Sequence, residues 1–131
     1  MNRPMSTRPD LARQFVDAIM RVDVDALREC LAPGARFWVN IGPSEFSTDE
    51  RFAVLELERQ HLAEHDAQDI RVTPSDTGFV AQLVSVGTTT SGEHLRVAVC
   101  LVATVADGRI TRVEEYADSE AAKPLLRALY G

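Results

Sequence analysis

At 131 residues the chain is long enough for one domain with a real core and too short for two. Apolar residues supply 45% and charged residues 26%, a balance that excludes a disordered chain. The net charge of −6, with the acids spread along the sequence, argues against a nucleic-acid binder, which presents a basic face.

Met1 to Pro9 carries arginines but no apolar run. It reads as a tail rather than a signal peptide, leaving residues 10–131 as a single domain. No apolar stretch reaches the roughly 20 residues that span a bilayer. Cys30 and Cys100 each sit in an apolar-periodic segment. They read as free thiols of a cytoplasmic protein.

Leu11, Phe15, Ile19 and Val22 recur at helical spacing after Asp10, a suitable N-cap. A second short helix is predicted from Asp23 or Asp25, with Val24, Leu27 and Leu31 inward, ending at Pro33-Gly34. Ala35 to Ile41 alternates as a strand, with Phe37, Val39 and Ile41 on one face and Arg36, Trp38 and Asn40 on the other. Ser47 and Glu50 form a capping box that opens a helix to about His65. Extended segments follow at Asp69–Thr73, Phe79–Thr90, Leu95–Val105 and Arg109–Ala117, the last three joined by Gly-containing turns into an antiparallel meander. Ser119 to Tyr130 is amphipathic and interrupted by Pro124. Helices segregated from an antiparallel sheet define an α+β fold, and the space between them suits a small molecule.

Two consecutive carboxylates, Glu114 and Glu115, break the alternation of the last strand. One of them must face inward if the sheet is covered on one side, and a carboxylate in an apolar pocket is tuned for acid–base work. Its alternative is a structural ion pair with an arginine such as Arg36 or Arg96. Gln82, on the face of Val84, could orient a ligand if that face lines the pocket, and His61 could donate to a ligand from the rim. Trp38 and Asn40 either meet the pocket or serve core packing and a loop-end hydrogen bond. His61-Leu62-Ala63-Glu64-His65 is a literal H-x-x-E-H, but no third ligand accompanies it, so no metal is expected.

The sequence resembles the nuclear transport factor 2-like superfamily from about Asp10 to Ala128. The resemblance is to its SnoaL-like, limonene-epoxide-hydrolase-like and ketosteroid-isomerase-like branches. It is carried by Asp23-Val24-Asp25-Ala26-Leu27 with Leu31-Ala32-Pro33-Gly34-Ala35-Arg36-Phe37-Trp38, by the capped helix, and by the stretch from Asp107 to Asp118. The resemblance implies a cone-shaped (cystatin-like) fold, a curved antiparallel sheet wrapped around N-terminal helices. It also selects Glu115 as the inward carboxylate, with Trp38-Val39-Asn40 matching the epoxide hydrolases' Tyr-x-Asn. Their Arg-x-Asp has no counterpart, because the matching positions are Gln82, Val84 and Val86. The base aspartate of the ketosteroid isomerases falls on Val39.

These readings imply a cofactor-independent acid–base enzyme: a cyclase, isomerase, dehydratase or hydrolase on an apolar terpenoid, polyketide or steroid-like molecule. Glu115, Asn40 and Trp38 would be catalytic, with Gln82, Val84, Phe15, Val113 and His61 holding the ligand. The alternative is a non-catalytic ligand-binding or assembly domain on the same fold. Because relatives pair through the sheet face opposite Glu115, here including Ile110 and Tyr116, a homodimer is expected.

Overall fold

The computed structural model describes residues 8–42 and 44–131. The first helix, α1 (Arg8–Arg21), takes Arg8 and Pro9 from the expected tail; the rest of that tail, residues 1–7, lies outside the described residues. Asp10 therefore sits in the first turn of α1, where its charge favours the positive end of the helix. The chain breaks at Val22, whose φ of 50° reverses direction before α2 (Val24–Cys30). Asp23 caps α2 by accepting from the Ala26 N–H at 3.1 Å.

The first strand, β1 (Leu31–Val39), begins four residues earlier than the alternation indicated. Pro33 and Gly34 fall inside it, where its pairing slips between Leu31 and Arg36. A short edge strand, β2 (Ser44–Ser47), leads into α3 (Thr48–Gln60). The capping box forms as anticipated: the Glu50 N–H donates to Ser47 Oγ, and the Ser47 N–H donates to Glu50 Oε1 at 2.8 Å. The remainder is β3 (Leu62–Pro74), β4 (Gly78–Thr89), β5 (His94–Ala106), β6 (Arg109–Ala117) and α4 (Lys123–Tyr130). Pro124 stands in the first turn of α4, where its missing N–H costs nothing, so it starts this helix instead of interrupting one.

The six strands are ordered β2-β1-β6-β5-β4-β3. The meander β4-β5-β6 is antiparallel as expected, and Asp107 and Gly108 both have positive φ, as a tight two-residue hairpin turn requires. One seam corrects the all-antiparallel expectation: β1 runs parallel to β6. The expected helix to His65 also ends early. Residues 62–65 pair with the far end of β4, Leu62 opposite Thr89 and His65 opposite Gly87, so cross-strand pairing overrides local helix propensity.

The core lies between the inward face of this sheet and the helices. Phe15 is fully buried and its ring stacks on Phe37, with centroids 6.4 Å apart; Leu27, Phe79, Ile110 and Val113 complete the layer. Burying each such side chain contributes about 1.5–3 kcal/mol. Ile110, expected on the exposed sheet face, is therefore a core residue. No described helix is long and apolar enough to cross a membrane.

Candidate functional site

Beyond the packed core, the same concave side of the sheet opens into a cavity of about 260 Å³. Its walls are mostly aliphatic: Ile19, Met20 and Val22 from the first helix and its break, Val39 at the end of β1 and Ile41 after it, Val97, Val99 and Leu101 on β5. The apolar face of α4, with Leu125, Leu126, Leu129 and Tyr130, forms another wall. No residue of α4 is buried, so this helix rests on the rim instead of being built into the core.

Three charges converge inside this apolar shell. Glu115 projects from β6, and Arg51 and Glu58 project from α3. On a helix, residues spaced by four and three share one face, so Arg51, Leu55 and Glu58 point together towards the sheet. Arg51 Nη2 lies 3.3 Å from Glu115 Oε1 and donates to it, while Arg51 Nη1 lies 3.7 Å from Glu58 Oε1. The Arg51 side chain is only 7% exposed, against 19% for Glu115 and 24% for Glu58, whose carboxyls open towards the cavity.

One guanidinium thus faces two carboxylates. Burial disfavours the Arg51 charge, but Glu115 and Glu58 together outweigh it and hold the guanidinium above its ordinary value. Burial pushes the Glu58 carboxyl above its ordinary 4.5, Arg51 opposes the push, and the Glu115 charge reinforces it. Glu58 is therefore the member of the trio disposed to keep a proton.

Of the residues nominated from sequence, only Glu115 lines the cavity. The register explains the others. Val39 pairs with Glu115 and Trp38 with Glu114 on adjacent strands, so Val39 shares the Glu115 face and Trp38 lies on the outer one. There Trp38 packs against Tyr116, with centroids 5.2 Å apart. Asn40 is spent on the backbone: its Nδ2 donates to the Ala117 carbonyl at 3.1 Å and its Oδ1 accepts from the Ala117 N–H at 3.0 Å. Gln82 and Val84 belong to the outer face of β4, alternating with buried Ala81 and Leu83. Phe15 and Val113 are core residues. His61 closes α3 with its Nδ1 3.0 Å from the Leu57 carbonyl, whereas His65 stands on β3 and lines the cavity. The two rings of the H-x-x-E-H thus share no helix. Among the described residues, no group of three His, Cys, Asp or Glu is placed to hold a metal.

The arginine partner of Glu115 is likewise neither Arg36, which faces Glu45 at 3.6 Å, nor Arg96, which reaches Gln68 and Asp69. Arg51 and Glu58 escaped the sequence reading. The signal was available as two opposite charges bracketing Leu55 on one helical face. Asn40 carries a test of its positional role: Asn40→Ala should lower stability by about 1–3 kcal/mol in urea melts, because the Ala117 N–H and C=O lose their partners in a part-buried seam.

Helices and a mixed sheet that enclose a largely apolar cavity, with a charged cluster on one wall, define a class of α+β cavity folds. Within that class, the sequence matches the SnoaL-like domain family over residues 12–113, and the chain belongs to that family. No curated protein sequence matches it. Among solved structures, it is similar to an NTF2-like protein of unknown function from Burkholderia pseudomallei, at 20% identity over 97% of this chain and 100% of that one, with a TM-score of 0.79. It is also similar to a candidate polyketide cyclase from Xanthomonas campestris pv. campestris, at 22% identity over 86% and 91% of the two chains, with a TM-score of 0.77. A third similar structure is IdmH, a candidate polyketide cyclase from Streptomyces antibioticus. It is 16% identical over 93% of this chain and 99% of that one, with a TM-score of 0.77. At these identities the likeness establishes the fold.

Proposed function

We propose that the chain is a cofactor-independent acid–base enzyme of the SnoaL-like type, acting on an apolar terpenoid, polyketide or steroid-like substrate. The observation that carries this reading is the Glu115–Arg51–Glu58 cluster opening into a largely aliphatic cavity. Glu115 takes a proton from the substrate or from a water. Glu58 returns one to the oxygen that gains charge, and Arg51 holds the two carboxyls apart and in place. Protons taken and given balance, so cyclisation, isomerisation, dehydration or hydrolysis fits the same pair. The candidate cyclases of similar fold favour the polyketide and terpenoid end of this range. The test is product formation from a panel of such substrates by the native chain, lost in Glu115→Gln and kept in Glu114→Gln.

A non-catalytic ligand-binding or assembly domain is the second reading. It is favoured by Glu115 already being paired to an arginine, and product formation by neither the native chain nor its variants would select it. Free Cys30 and Cys100 agree with a reducing, cytoplasmic setting. We also propose a homodimer through the outer sheet face. There Val80, Val84, Val86 and Val102 remain partly exposed beside Trp38, and Tyr116 is 45% exposed. Light scattering at micromolar concentration should give twice the mass of the chain; the mass of one chain overturns it.

A further inference from the structure

Away from the charged trio, the cavity wall carries further polar groups: Arg59, Glu64 and a His65–Ser85 pair. Ser85 follows Phe79, Ala81 and Leu83 in the inward alternation of β4, so its hydroxyl stands where a β-branched apolar residue would extend the aliphatic wall. His65 on the neighbouring strand meets it, with Nε2 2.7 Å from Ser85 Oγ, and both residues line the cavity. Although much of His65 is open to solvent, burial of its ring lowers its affinity for a proton below the ordinary value of 6.5, against the pull of Asp66. That direction favours the neutral imidazole at neutral pH.

A hydroxyl and a neutral imidazole own two polar hydrogens between them, and their mutual bond uses one. If Ser85 donates to Nε2, the Nδ1–H is left over; if Nε2–H donates to Ser85, the hydroxyl hydrogen is left over. Either way the pair retains one donor without a charge. Such a donor fits an acceptor oxygen on a neutral ligand, a carbonyl or a hydroxyl, better than it fits an anion.

The pair is too far from the carboxyls to serve the same atom. Ser85 is opposite Val97 and Glu115 is opposite Leu101, so four residues of β5 and two strand steps lie between them. That is about 14 Å along the strands and about 10 Å across them at the backbone. The β5 wall between the two ends is Val97, Val99 and Leu101, which offers no hydrogen bond.

We propose that the cavity is bipolar: His65 and Ser85 form a subsite for a carbonyl or hydroxyl oxygen at the far end of an elongated apolar ligand whose other end meets Glu115 and Glu58. This rests on the small-molecule reading above and narrows it to skeletons oxygenated at both ends. A hydrocarbon oxygenated at one end only leaves one pole without its partner.

Matched ligands test this by calorimetric titration of the full chain: androstanedione against androstanone. The diketone should bind up to about tenfold more tightly than the mono-ketone, the worth of one added hydrogen bond. His65→Phe combined with Ser85→Ala should erase that preference, and Ser85→Ala alone, which removes only a hydroxyl, should reduce it. Equal binding of both members to the native chain overturns the proposal, as does a preference that survives in both variants. Binding of neither ligand counts against the small-molecule reading itself, which separates the two failures.

Discussion

Arg51→Met should destabilise the protein by about 3–5 kcal/mol at pH 7, the range seen when one partner of a buried ion pair is removed. The methionine keeps most of the aliphatic stem, so the loss comes from charge more than from packing. Without the guanidinium, Glu115 and Glu58 face one another across a largely desolvated space, and Glu58 is already above its ordinary 4.5 with Arg51 in place. The pH dependence follows from that direction. A carboxyl raised in the folded state contributes stability that is fully present below its unfolded value and is lost as pH rises through its folded value. The variant's deficit should therefore be largest at neutral pH and shrink as pH falls towards 4.5, where Glu58 takes its proton in both states. Urea melts at pH 7 and pH 5 measure it. Adding Glu58→Gln to Arg51→Met should recover much of the loss at pH 7. A deficit equal at both pH values and unrelieved by Glu58→Gln would mean that Arg51 acts as packing alone.

The legibility of this site in the sequence divides along the line between local and non-local physics. Strand parity is local, so the opposition of Phe37 and Val39 to Trp38 and Asn40 was readable, as was the pairing of Ser47 with Glu50. Which face of β1 joins Glu115 depends on its parallel register with β6, set by residues almost 80 positions apart. No periodicity encodes that, and the family motif pointed to Trp38 and Asn40, which the register puts elsewhere. The loss of the helix after Gln60 has the same origin, since His61 to His65 are acceptable helix formers until β4 offers them a ladder. The α3 face was a different failure. Leu55 is buried with Arg51 and Phe52, while Val54 and Leu57 are only partly so, and the sequence reading assigns no inward face to this helix. Arg51, Leu55 and Glu58, spaced by four and then three, put an apolar residue between two opposite charges on one helical face, and that pattern marks a face able to be buried. The epoxide hydrolases' arginine is absent from the strand where their pattern would put it, and an arginine reaches the last-strand carboxyl from a helix instead.

Glu115→Gln should lower kcat/KM on an accepted substrate by about 10²–10⁴-fold, the usual worth of a positioned general base. The amide keeps the size of the carboxyl and can still meet Arg51 through its oxygen, so ligand binding should change little while turnover collapses, although Arg51 loses a charged partner and melting should fall. Glu114 lies on the outer face beside Arg112, 3.6 Å away, and Glu114→Gln should leave turnover unchanged. The pH profile separates the two carboxyls of the cavity. A proton donor with a raised pKa works only while it holds its proton, so kcat/KM should fall on the alkaline side as pH passes through the folded value of Glu58. Glu58→Gln should remove that alkaline limb and lower the maximum, whereas Glu115→Gln should lower the whole profile and move the limb to lower pH, because the Glu115 charge no longer raises Glu58. An alkaline limb that persists in Glu58→Gln would assign the donated proton to another group, and full turnover in Glu115→Gln would remove the carboxylate of β6 from the chemistry.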